Sequence, residues 1–185
     1  MINMSEPVVL PEEQRFAKNA VVLGQAVLAS ITKLYNEGYQ IVNPILVQIA
    51  VAAIGAYDPH GLIQGFIENS HEICWDAIKV RDETFFVENV GTIFKYLPTQ
   101  EVNLFKDLYT TKDVTGKTVI SEALKEQIWR LFDAMIKISI KYVHNNRVPY
   151  EYNGVKGYRS SFFDNVDVEK HAATWGVALV YNKTY

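Results

Sequence analysis

Apolar residues recur every three or four positions through most of this chain, the repeat of α-helices that bury one face. Phe16, Ala20, Leu23, Val27, Ile31 and Leu34 form the first stripe. It predicts a helix from Pro11 to about Asn36, opened by proline and the acids Glu12 and Glu13 and stopped by Gly38. Asn43-Pro44 opens a second helix through Ile45, Leu46, Ile49, Val51 and Ile54 to Tyr57. That helix is apolar nearly all round, which predicts a central, buried position. Asp58-Pro59-His60-Gly61 reads as a turn. A third helix follows from about Leu62 to Val80, with Ile63, Phe66, Ile67, Ser70, Ile73, Cys74, Ala77 and Ile78 toward the core. Arg81-Asp82-Glu83 marks a break or kink. Phe86, Val90, Ile93 and Leu97 define a fourth helix that Pro98 ends, and Thr99 can cap a short fifth to about Tyr109.

Residues 110–120 are polar, contain Gly116 and read as a loop. Ser121 then caps the clearest helix of the chain. Leu124, Ile128, Leu131, Met135, Ile138 and Tyr142 keep a four-three-four-three-four spacing suited to a bundle or to another subunit. Beyond Asn145-Asn146 the pattern changes. Val148-Pro149-Tyr150-Glu151-Tyr152 and Val155-Lys156-Gly157-Tyr158 flank Asn153-Gly154, the turn pair of a hairpin. The run from Trp175 to Tyr181 reads as extended. The expected fold is mostly α: a single-domain bundle of five to six helices with a small β-hairpin and an extended C-terminal segment. Residues 1–11 form an N-terminal arm, 12–146 the helical core and 147–185 the hairpin and aromatic tail.

Composition supports a packed core. Of 185 residues, 49% are hydrophobic and 21% charged, too apolar for a disordered chain. Lysine plus arginine number 18 against 21 acids, a net charge of -3, so no global basic field draws the chain to nucleic acid or anionic lipid. The lone Cys74 cannot form an internal disulfide, and the first residues lack the pattern of a secretory signal; both predict an intracellular, cytoplasmic location. The first two helices could form a membrane hairpin, but Asn19, Gln25 and Ser30 interrupt the first, and a membrane role is not expected.

Candidate chemistry is sparse. Gly116-Lys117-Thr118 precedes a helix as a phosphate loop would, but position 111 is threonine rather than glycine and Asp113 would repel phosphate. Glu68-x-x-His71 has the spacing of a di-iron ligand pair but lacks its second copy. His71-x-x-Cys74 offers two zinc ligands where zinc needs three or four. Cys74 could be a nucleophile with His60, His144 or His171 as base, yet it falls mid-helix on an apolar face that raises a thiol pKa. The cluster Asp76, Arg81, Asp82 and Glu83 can serve acid–base work, but capping and local pairing explain it more simply. No catalytic residue, metal ligand or cofactor is therefore expected. The alternative is a metal protein or enzyme using the Glu68, His71 and Cys74 face.

The tail gathers aromatic residues. They either cover the helical core or dock a partner, where tyrosine and tryptophan are favoured. The docking reading names Tyr150, Tyr152, Tyr158, Phe162, Phe163, Trp175 and Tyr181 as partner-binding. Glu151, Asp164, Asp167 and Glu169 lie among them, and nucleic acid is not expected. The run from Phe66-Ile67-Glu68-Asn69-Ser70-His71 through Cys74-Trp75-Asp76-Ala77-Ile78-Lys79, then Arg81-Asp82-Glu83-Thr84-Phe85-Phe86 and Asn89, resembles helical proteins of large DNA viruses that infect eukaryotes. That resemblance transfers no activity and no site residues; it implies a virion or capsid-associated component. The expected function is a non-enzymatic structural or protein-interaction component of a larger assembly, acting through protein partners or self-assembly.

Overall fold

The computed structural model describes residues 11–93, 99–159 and 163–180. The expected stop at Leu97-Pro98, Phe162 among the aromatics and Tyr181 lie outside these. Among the described residues the order is α1 (Glu12–Asn36), α2 (Pro44–Ala56), α3 (Pro59–Ser70), α4 (Trp75–Lys79), α5 (Glu83–Ile93), α6 (Thr99–Thr110), α7 (Glu122–Asn145), β1 (Val148–Tyr152), β2 (Val155–Arg159) and α8 (Val168–Trp175). The chain is thus mostly helical with a small two-stranded antiparallel sheet, as its periodicity predicts.

Every apolar position expected on the first helix is buried: Phe16, Ala20, Leu23, Val27, Ile31 and Leu34. This stripe lies along α7 on one side and meets α2 and α3 on the others. The central helix is α7 and not α2, a correction to the hydropathy reading. From Phe132 onward α7 is buried on most of its circumference, through Met135, Ile136, Ile138, Ile140, Tyr142 and Val143. Its buried Ser139 is tolerated because the hydroxyl donates to the Met135 carbonyl at 2.8 Å. In α2 only Val47 and Ala50 are buried.

The expected third helix is two helices. Residues 71–74 form a turn between α3 and α4. Ser70 Oγ donates to the Phe66 carbonyl at 2.5 Å and accepts Trp75 Nε1–H at 2.8 Å. Such back-bonding competes with the helical ladder and favours a bend. The break rotates the buried face, so Ile73 is exposed and Trp75 is fully buried.

Caps follow the sequence signals. Asn43 Oδ1 accepts from Ile45 N at 3.0 Å, Asp58 Oδ2 from Gly61 N at 3.2 Å and Ser121 Oγ from Leu124 N at 3.1 Å. In the hairpin Tyr152 pairs with Val155 across Asn153 and Gly154, both at positive φ (48° and 76°). That is the two-residue turn that Asn-Gly favours. A helix, α8, replaces the first residue of the expected extended tail. Asp167 Oδ1 accepts from Lys170 N at 3.2 Å, and Gly176 closes α8 at φ 65°. Beyond it Val177 and Leu179 pack on the core.

Helices α1 and α2 touch closely at Gly24. A Cβ built there would lie 2.9 Å from Val51 Cγ2. Gly24→Ala gains about 1 kcal/mol of helix propensity but overpacks this contact by about 1–3 kcal/mol, so the expected net effect is a loss of up to about 2 kcal/mol. Chemical unfolding should show the loss, and adding Val51→Ala should recover part of it through a coupling of at least about 0.5 kcal/mol. Strict additivity would show that the two helices do not meet there.

Candidate protein-interaction surface

The charged cluster after α4 is structural. Asp82 Oδ1 accepts from Phe85 N at 3.0 Å and caps α5. Arg81 stands at positive φ (58°), a conformation that usually selects glycine. Its guanidinium donates to both oxygens of Asp133 on α7, at 2.7 and 2.6 Å, and to the Ile78 carbonyl at 3.0 Å. The Asp133 bond raises the Arg81 pKa further, so the guanidinium keeps its charge in this two-pronged tie. Glu83 reaches Lys125 of α7 at 3.2 Å.

The Glu68–His71–Cys74 face does not assemble. Glu68 is exposed, whereas His71 and Cys74 are buried. Burial pushes the Cys74 thiol up to about 11, away from the thiolate a nucleophile needs. Burial also lowers the His71 pKa. Its imidazole faces Asn165 at 3.5 Å and the His171 ring at 6.4 Å between centroids. Among the described residues, no three His, Cys, Asp or Glu side chains converge as metal ligands. His60 bonds Gln64 at 2.7 Å and the Tyr142 hydroxyl, tying α3 to α7.

The Gly116-Lys117-Thr118 loop is occupied by its own acid. Asp113 Oδ1 accepts from Thr115 N at 2.8 Å and Lys117 N at 3.1 Å, the N–H groups a phosphate would need. The Thr115 hydroxyl and amide bonds are the main reason its pKa lies below the usual carboxylate range. A cleft of about 400 Å³ opens beside this loop, against the end of α1 and the start of α7. Its charged lining mixes Lys33 and Lys117 with Glu37, Asp113 and Glu122 and selects no ligand charge.

The tail aromatics separate. Tyr152 projects from the hairpin at 72% exposure, beside exposed Val148 and Val155. Phe163 and Trp175 are buried, at 2% and 3% exposure, so of the two readings of the tail aromatics these two follow core cover and not docking. The physical reason is that α8 folds back: His171 packs edge-on against Trp75 at 4.7 Å, and Phe163 meets Tyr142 at 6.0 Å. Lys79 lies 4.9 Å above the Trp175 ring. Tyr150 and Tyr158 lie on paired strands, opposite Gly157 and Pro149.

Among the described residues the broadest apolar exposure on one helix is on α2, which hydropathy alone predicts to be buried. Ile45 is 62% exposed, Ile49 59% and Leu46 46%. Ala52 and Ala56 are exposed too. Ile45, Ile49, Ala52 and Ala56 follow a four-three-four spacing and therefore form one stripe on the side opposite Val47 and Ala50. No charged side chain lies on α2, and no lysine or arginine occurs from residue 34 to 78. Helix α3 leaves the end of α2 at 108°. No single helix among the described residues is long and apolar enough to cross a membrane. A composition signal existed, an apolar helix, but it does not say which side lacks neighbours. Comparison with known proteins gives no matching family model, no matching curated protein and no matching solved structure.

Proposed function

We propose that this chain is a non-enzymatic protein-interaction component of a larger assembly, and that the exposed stripe of α2 is its docking surface. One observation carries the reading: Ile45 and Ile49 stand more than half exposed on a helix without a single charge. Contiguous apolar exposure of that kind leaves burial energy of about 25 cal/mol per Å² unrealised until a partner covers it. Tyr152, Val148 and Val155 on the hairpin are a second, smaller group of the same character. For the kind of assembly we propose a virion component, on the likeness of residues 66–89 to helical proteins of large DNA viruses.

A photo-crosslinking residue placed at Ile49 tests the reading in cells that make the chain. The expected result is one discrete adduct of fixed stoichiometry, abolished by Ile45→Glu on the same stripe. A probe at Arg130, 75% exposed on α7, should give none. No adduct at Ile49, or the same diffuse labelling at both positions, would remove the proposal.

A further inference from the structure

Resting on that reading, we infer that the α2 stripe pairs with the same stripe on a second copy of this chain, the two helices antiparallel across a two-fold axis. The stripe is graded in size. Bulky Ile45 and Ile49 occupy its N-terminal half, and small Ala52 and Ala56 its C-terminal half. Leu46 and Ala53 repeat the gradient on the adjacent row. An isologous interface must be complementary to itself. A two-fold axis between residues 50 and 51 sets Ile45 against the other copy's Ala56, and Ile49 against its Ala52. Large side chains then enter the spaces left by small ones, as helix packing requires. A parallel pair would stack isoleucine on isoleucine and leave alanine facing alanine.

Charge agrees with this orientation. Two uncharged helices meet without desolvating an ion. Asp58 lies two residues beyond the C-terminal end of α2, where its exposed carboxylate also caps α3. Antiparallel pairing brings each Asp58 toward the positive N-terminal end of the other α2. The two Asp58 groups lie at opposite ends of the pair, about 20 Å apart for a helix of 13 residues. The missing lysines and arginines also remove the attraction that would bring this stripe to an anionic bilayer. A pair of 13-residue helices buries less than the 1,200–2,000 Å² typical of stable complexes, so the dimer is reversible.

Sedimentation of the purified full chain tests this. The weight-average mass should rise from one chain toward two between about 10 µM and about 1 mM, the range of a small interface. Ile49→Glu should weaken association by about 100-fold or more, because a charge would be buried without a partner. Ala52→Leu makes the surface more apolar yet should weaken pairing by about tenfold, since it fills the space that Ile49 of the other copy needs. Oxidised mixtures of Ile45→Cys and Ala56→Cys chains should cross-link to each other, whereas Ile45→Cys chains alone should not. Self-linked Ile45→Cys chains, or stronger pairing in Ala52→Leu, would overturn the antiparallel arrangement. A chain monomeric throughout that still gives the Ile49 adduct in cells would overturn self-pairing and leave the docking surface standing for another protein. Loss of that adduct as well would remove both. Flotation of the monomer with phosphatidylcholine vesicles, reversed by Ile49→Glu, would assign the stripe to a bilayer and overturn both.

Discussion

Phe86→Ala should cost about 3–5 kcal/mol of folding stability, the range for removing a buried phenyl ring. Phe86 is 1% exposed. Its ring meets Trp129 at 5.2 Å, Phe132 at 5.3 Å and Tyr109 at 5.8 Å, each edge-on. These rings come from α5, α6 and α7, so one side chain joins three helices. Pairs of this geometry contribute about 0.5–1.5 kcal/mol each beyond their buried area. Tyr109 is itself buried, and that burial raises its hydroxyl pKa well above the usual phenol value. A typical domain has about 5–15 kcal/mol to lose, and the variant forfeits roughly a fifth or more of it. Urea unfolding should show a lower midpoint at unchanged slope, with Phe86→Leu falling between the two. A loss below about 1 kcal/mol would mean that the three helices do not converge on this ring.

Much of this packing is legible in the residues. The α1 stripe from Phe16 to Leu34, the Ser121 cap of α7 and the Asn153-Gly154 turn all appear where local physics places them. Periodicity and capping are properties of neighbouring residues, so one chain suffices to read them. What periodicity does not supply is the identity of the neighbour. An all-apolar α2 predicts burial, yet α1 covers one side of it and leaves Ile45 and Ile49 outside. Conversely α7 carries Ser139 and His144 and is still the centre, because each finds a hydrogen bond there. The α3–α4 break depends on Trp75 bonding back to Ser70, a side-chain contact that no spacing rule contains. For α8 both local signals are present, Asp167 as cap and Gly176 as stop, but a helix of eight residues is too short for periodicity to mark it. The candidate surface fared likewise. Aromatic content singled out Phe163 and Trp175, which are buried, while the exposed stripe is aliphatic. Composition says what a residue can do on a surface; only the arrangement of helices decides which residues are on it.

Acid should loosen α8 before it affects the rest of the fold. His71 follows α3 and His171 sits in α8, and both are nearly covered, at 5% and 6% exposure. Burial holds both imidazoles below their ordinary pKa of 6.5. For His171 the neighbouring His71 acts in the same direction, and Lys170 adds to it, while Asp76 and Asp167 oppose. Glu72 opposes the shift at His71. The ring centroids are 6.4 Å apart, so two positive charges would repel across the α3–α8 seam. His171 Nδ1 is buried, with no hydrogen-bond partner among the described residues. The folded state therefore favours the neutral rings, and the unfolded chain takes up protons first as pH falls. Stability is complete above about pH 6.5 and declines below it, until pH passes the lowered folded values. Above pH 5 most carboxylates stay ionised, so the window from pH 7.5 to 5 isolates histidine. Urea unfolding should give a lower midpoint at pH 5 than at pH 7.5, and hydrogen exchange should quicken first at the amides of 171–175. In the double variant His71→Gln, His171→Gln most of that pH dependence should vanish. If the variant keeps the full slope, the acid response originates elsewhere and the seam between α3 and α8 is not where protons act.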